Sequence, residues 1–281
     1  MQTDNSDKVW LAPAKINRFL HITGQRDNGY HELQTVFQFL NYADELRFTI
    51  LDHNEISHNN PLPGIEPKDD LSIRAARLLQ QEIQCPLGVQ ISITKRLPMG
   101  GGLGGGSSDA ATTLVALNEL WNLQLDIEHL ARLGVQLGAD VPIFVHGFSA
   151  WAEGVGEKLS AIELDESWFV VLIPSVSVST AEIFSTPSLK RNCSPISISD
   201  YLSGKGTNVC ESIVSRLYPE VAQGIKWLTQ FAPARMTGTG ACVFAAVASE
   251  QEAKQILSKK PEKFNGFVAQ GKNLSPLYSK A

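Results

Sequence analysis

"LPMGGGLGGGSSDAATTLVALNEL", residues 97–120, places six of the chain's 22 glycines within seven positions and then turns into an alanine- and leucine-rich run. Glycine accepts positive φ and lets a ligand touch the main chain. A helix that starts at once offers unpaired N–H groups and the positive end of its dipole. Together these make an anion cradle, most often for phosphate. Ser107 and Ser108 are expected to cap the helix, with Ala110, Leu114, Leu117 and Trp121 on its buried face. A flexible linker competes as an explanation of glycine-rich text, but a strand ending in Lys95 and Arg96 on one side and a helix on the other argue against it.

The spacing excludes the commonest nucleotide loops. A Walker pattern starting at Gly101 requires lysine at position 107, where the chain has serine. Gly100, Gly102 and Gly105 satisfy GxGxxG, yet "KRLP" separates them from the preceding strand and no following strand carries a ribose-binding acid. The glycine loop of protein kinases leads into a strand and is accompanied by HRD and DFG text, which this chain lacks.

Outward from the loop, "KINRFLHITG" (15–24), "ELRFTIL" (45–51) and "GVQISITK" (88–95) are β-branched and aromatic, and predict strands. "DDLSIRAARLLQQEI" (69–83) repeats apolar residues at helical spacing after an aspartate suited to capping. A further helix is expected over 126–137. "WFVVLIP" (168–174) predicts a buried strand, 185–206 a polar loop, 208–217 and 219–230 helices, 241–248 a strand and 250–259 a helix. This irregular mixture indicates an α+β chain rather than a doubly wound sheet. A boundary near 155–165 divides it into 1–158 and 159–281.

The 281 residues are 43% apolar, enough for a large core or two. The balance of 24 basic against 29 acidic residues leaves no general footprint for nucleic acid or an anionic membrane. The four cysteines are widely spaced, so neither a zinc site nor a disulfide framework is expected and no metal ligands are assigned. No signal-peptide pattern and no apolar run of membrane-spanning length is found, so a cytoplasmic location is expected.

Three other segments complete the pattern. In "PAKINRFL", Lys15 and Asn17 stand two residues apart, on one face of a strand. In "LGADVPIFVHG" (137–147), Asp140 is expected between a helix end and a strand. "RMTGTGACVFA" (235–245) sets Gly238 and Gly240 around Thr239 before a strand. Taken singly, these are a solvated charge, a turn cap and a tight turn.

In this order, with the glycine loop, they resemble the GHMP family of small-molecule kinases. "GYHELQTVFQ", "RAARLL" and "STAEIF" are similar to the branch whose substrate carries a cytidine diphosphate group, in non-mevalonate isoprenoid precursor biosynthesis. The resemblance implies two α+β lobes with the active site in the cleft between them, and ATP-dependent phosphorylation of a small-molecule hydroxyl with Mg²⁺, by a monomer or weak homodimer. It implies that Asp140 takes the hydroxyl proton beside Lys15, and that Lys95, Pro98, Gly100, Gly101, Gly102, Gly104, Gly105, Gly106, Ser107 and Ser108 hold the nucleotide phosphates. Tyr30 and Phe184 would stack on the base and His31 would hydrogen-bond to it, with Thr180 nearby, Asn17 at the polyol end, and Gly238, Thr239 and Gly240 completing the substrate site. Three positions depart from the family pattern: Asn28 and Asp70 stand where aspartate and asparagine are usual, and Val209 replaces an aspartate. The aromatic set argues against a homoserine or mevalonate kinase. Retention of both Lys15 and Asp140 argues against a catalytically silent nucleotide-binding protein.

Overall fold

Apolar residues spaced by two produce long strands at the start of the chain. In the computed structural model, which describes residues 8–27 and 29–279, β1 (Trp10–Gln25) pairs antiparallel with β2 (His31–Leu51). Asn28, one of the three departures from the family pattern, lies outside the described residues. The chain continues through β3 (Ile56–His58), α1 (Leu71–Glu82), β4 (Gly88–Thr94), α2 (Gly105–Leu120), α3 (Ile127–Val135) and α4 (Val141–His146). Then come β5 (Ala150–Glu153), β6 (Lys158–Ala161), β7 (Trp168–Ile173), α5 (Thr180–Ser185), α6 (Ile198–Leu202), α7 (Glu211–Leu217) and α8 (Pro219–Leu228). The chain closes with β8 (Ala234–Met236), β9 (Val243–Val247), α9 (Glu250–Ser258) and β10 (Asn265–Lys272).

These strands join one sheet whose main path is β3-β4-β2-β10-β7-β9-β8. The late strand β10 lies between β2 and β7, so the C-terminal segment sutures the two halves. One hydrophobic core gathers the N-terminal helices over β2 and β4. A second gathers α7, α8 and α9 over β7 and β9, and takes Leu20 and Ile22 from β1. The far half of β1 therefore belongs with residues beyond 159, where the 207–209 segment also bonds to the Leu20 backbone. No described helix is long and apolar enough to cross a membrane.

Three expectations are corrected. α2 is capped by Gly104 in a left-handed conformation, with no side-chain cap, so Ser107 and Ser108 lie inside its first turn. Residues 141–146 form a helix rather than the strand expected after Asp140; Pro142 in the first turn and Gly147 in a left-handed C-cap frame it, overriding its β-branched residues. The 185–206 stretch contains α6, which starts with a capping box between Ser197 and Asp200.

Candidate active site

The glycine loop is shaped by what it touches. Gly102 has φ +76°, and a Cβ there would fall on the carbonyl oxygen of Thr237 and 3.1 Å from that of Gly240. Gly104, also at φ +76°, passes so near Phe144 and the Lys15 stem that a Cβ would lie 2.6 Å and 3.2 Å from them. The loop is thus wedged between the C-terminal glycine turn and the Lys15 strand. Gly104 has no capping side chain, so no side chain caps the first N–H groups of α2, an arrangement suited to an anion.

At Lys15 the register between β1 and β2 shifts, and the Lys15 N–H donates to the Leu103 carbonyl at 2.9 Å. This bulge carries the side chain beneath the loop, where it is 4% exposed. Its ammonium lies 3.1 Å from Asp140 Oδ2 and donates to Asn17 Oδ1 (2.7 Å) and to the Gly102 carbonyl (3.2 Å). Asn17 in turn donates through Nδ2 to Thr35 Oγ1 at 2.9 Å. Both ends of its amide are therefore engaged in holding Lys15. Asp140, at the N-terminus of α4, keeps 38% of its side chain exposed, so an incoming hydroxyl can reach it.

These groups open on one cavity of about 1110 Å³. Single ligands commonly fill ~300–1,000 Å³, so a nucleotide and a second molecule have room. Every nominated loop residue lines it except Ser108, whose hydroxyl is fully buried and has no hydrogen-bond partner. Tyr30, His31, Thr180, Phe184, Gly238, Thr239 and Gly240 line it as well. Thr180 and Thr239 share a 2.8 Å hydroxyl contact. His31 and Phe184 are stacked on each other, centroids 5.0 Å apart and planes 20° from parallel, so Phe184 reaches the cavity as His31's partner.

Lys95 lines the cavity with its ammonium already paired. Its ammonium bridges Asp44 and Asp109, the latter at 2.7 Å. Burial pushes the Asp109 carboxyl up to about 7, with Lys95 opposing and Asp44 reinforcing. The triad ties the loop's two flanks to β2, since Asp44 also accepts from the Leu97 N–H at 2.8 Å.

Several residues outside the nominated set support the site. Asn208 donates to the carbonyls of Met236 and Gly238 and so holds the glycine turn. Val209 packs against the second core, and its N–H donates to the Leu20 carbonyl. Asp70 caps α1 through the N–H groups of Ser72 and Ile73, and its other oxygen lies 3.1 Å from His58 Nε2. Burial works against both charges, but the pairing outweighs it: His58 is held above its ordinary range and Asp70 below. The His58 contribution to stability is complete below pH ~6.5 and fades as pH rises through the raised value; the Asp70 contribution fades in acid. The melting-temperature advantage of wild type over His58→Gln is therefore expected to be about 2–4 °C near pH 6 and to shrink toward pH 9. A constant difference in thermal unfolding would show that the pair carries no charge.

Residues 70–148 match the GHMP kinases N terminal domain and residues 195–266 the GHMP kinases C terminal domain. These two matches span more than half of the chain, which therefore belongs to the GHMP kinase family and is a small-molecule kinase of the two-lobed α+β fold. Members are ATP-dependent phosphotransferases, which implies ATP as the phosphoryl donor. The chain is 55% identical to the 4-diphosphocytidyl-2-C-methyl-D-erythritol kinase of Nitrosococcus oceani, over 96% of both chains. It is 54% identical to that of Shewanella pealeana, over 95% of both. A crystal structure of 4-(cytidine 5'-diphospho)-2C-methyl-D-erythritol kinase superposes with a TM-score of 0.82 at 30% identity, covering 94% of this chain and 99% of that one. Mevalonate kinase of Methanococcus jannaschii shares the fold, with a TM-score of 0.71 at 16% identity.

Proposed function

We propose that this kinase transfers the γ-phosphoryl group of ATP to the 2-hydroxyl of 4-diphosphocytidyl-2-C-methyl-D-erythritol, a step of non-mevalonate isoprenoid precursor synthesis in the cytoplasm. The observation that carries the reading is a single cavity in which the Lys15–Asp140 pair and the glycine loop meet the Tyr30, His31 and Phe184 cluster. Identity above 50% to kinases of that name supports it, and four free thiols suit a reducing compartment. Residues 1–158 serve as the phosphate-binding and catalytic domain, with the far half of β1 packed on the second core, and 159–281 as the C-terminal domain.

Asp140 orients the hydroxyl and accepts its proton as the oxygen attacks phosphorus in line. Lys15 offsets negative charge on the transferring group, held in place by Asn17 and the Gly102 carbonyl. The α2 N–H groups receive the phosphate oxygens, and the adjoining loop backbone from Pro98 to Gly106 shapes the cradle. Mg²⁺ carried on the triphosphate fits a cavity lined by the Ser107 and Asp140 oxygens, and would neutralise phosphoryl charge. Tyr30, 62% exposed at the rim, stacks on the cytosine.

Tyr30→Ala is expected to raise the substrate KM about 10–100-fold, the worth of one base stack, with kcat and folding near wild type. An unchanged KM would remove Tyr30 from the base site. Cytidine diphosphate should also compete with substrate; failure to compete would favour another alcohol, homoserine or mevalonate, as substrate.

A further inference from the structure

Arg191 belongs to the polar stretch after α5, to which the phosphoryl-transfer chemistry assigns no task. The stretch is anchored: Leu189 is buried, and the Cys193 N–H donates to the Ile22 carbonyl of β1 at 2.9 Å. From this anchor the Arg191 guanidinium donates to the carbonyls of Phe184 (2.6 Å), Thr186 (3.1 Å) and Leu189 (3.1 Å), closing the C-terminal end of α5. Its Nε–H points to His31 Nε2 at 3.0 Å. One planar side chain thereby holds both members of the His31–Phe184 stack, and both line the cavity.

The direction of that last bond has a chemical consequence. Arginine has no acceptor and keeps its proton, so His31 Nε2 must accept. Burial, and then the adjacent Arg191 charge, holds His31 below its ordinary range. A neutral imidazole that accepts at one nitrogen carries its proton on the other. We propose that Arg191 is a positioning residue for base recognition: it fixes His31 in the Nδ1–H tautomer, so that the ring presents a hydrogen-bond donor to an acceptor atom of the pyrimidine. This rests on the cytidine reading of the site. Cytosine offers two adjacent acceptors, N3 and O2, whereas uracil interrupts them with an N3–H donor; the fixed donor therefore favours cytosine.

The test is the tautomer itself, read from long-range ¹H–¹⁵N spectra of full-length protein labelled at histidine nitrogens, with His31→Gln identifying the signal. Wild type is expected to show a protonated Nδ1 and an unprotonated Nε2. A protonated Nε2 overturns the proposal without recourse to any variant. Arg191→Met should release the ring toward the Nε2–H form, weaken cytidine diphosphate binding about tenfold and raise the substrate KM by the same factor, with kcat lowered less than twofold and the ATP KM unchanged. A changed tautomer with unchanged cytidine diphosphate affinity also overturns it. If Arg191→Met fails to fold, Arg191→Lys, which keeps the cation on the α5 carbonyls but loses the guanidinium fork, serves in its place with the same expected changes. A wild-type protein with the expected tautomer that does not bind cytidine diphosphate would instead overturn the cytidine reading, and the recognition role with it.

Discussion

Asp140→Asn is expected to lower kcat about a thousandfold, within the ~10²–10⁴ that a positioned general base contributes. The substitution is isosteric. It leaves an oxygen at the Asp140 position for the Lys15 ammonium, which lies 3.1 Å from Oδ2 in the parent chain, so the loop and the α4 N-terminus keep their geometry. What is lost is the group that can take the hydroxyl proton. Because that interaction is made in the transition state, kcat and kcat/KM should fall together, by about 4 kcal/mol of barrier, with ATP affinity and melting temperature near wild type. Steady-state kinetics and nucleotide titration measure both halves. Near-normal turnover would remove Asp140 as the base.

Gly102→Ala is expected to act through the backbone instead. A non-glycine residue at φ +76° costs ~1–2 kcal/mol, and the new Cβ would collide with the Thr237 carbonyl, which a main-chain atom cannot swing away to avoid. The displaced Gly102 carbonyl is the acceptor for both Lys15 Nζ and the Thr237 hydroxyl, each at 3.2 Å. Loop, lysine and C-terminal turn should therefore shift as a unit, with ATP kcat/KM down about a hundredfold, or ~2.7 kcal/mol, and a lowered melting temperature. Gly24→Ala provides the control: its φ is ordinary and its Cβ would meet only the Glu32 stem at 3.7 Å. Equal effects of the two changes would mean that the wedge between the glycine turns has no special role.

Much of the site is legible in the chain because its parts are local. The loop glycines, the Asp70 cap and the helix that follows each, and the strand containing Lys15 and Asn17, are short-range patterns. What escaped detection is set by contacts between distant segments. β10 reads as unremarkable text, yet it joins β2 and β7 across more than 90 residues on either side. Arg191 and His31 are 160 positions apart, and His58 finds Asp70 only because β3 lies beside β4 under α1. The sequence around Asp140 pulls two ways: Val141, Ile143 and Val145 favour a strand, while Pro142 and Gly147 bracket a helix, and burial of Val141, Ile143, Phe144 and Val145 in the first core stabilises the helix. Lys95 shows the same limit in charge. Its place before the loop suggests a phosphate ligand, and nothing local announces that Asp44 and Asp109 also come to it from β2 and α2.

The most direct measurement is phosphoryl transfer from γ-labelled ATP, with Mg²⁺, to 4-diphosphocytidyl-2-C-methyl-D-erythritol, with homoserine and mevalonate in parallel. Label is expected in the cytidyl product alone, and its transfer should collapse in Asp140→Asn. Label in homoserine or mevalonate, or in none of the three, would contradict the assignment and leave the stacked His31–Phe184 pair in need of another ligand.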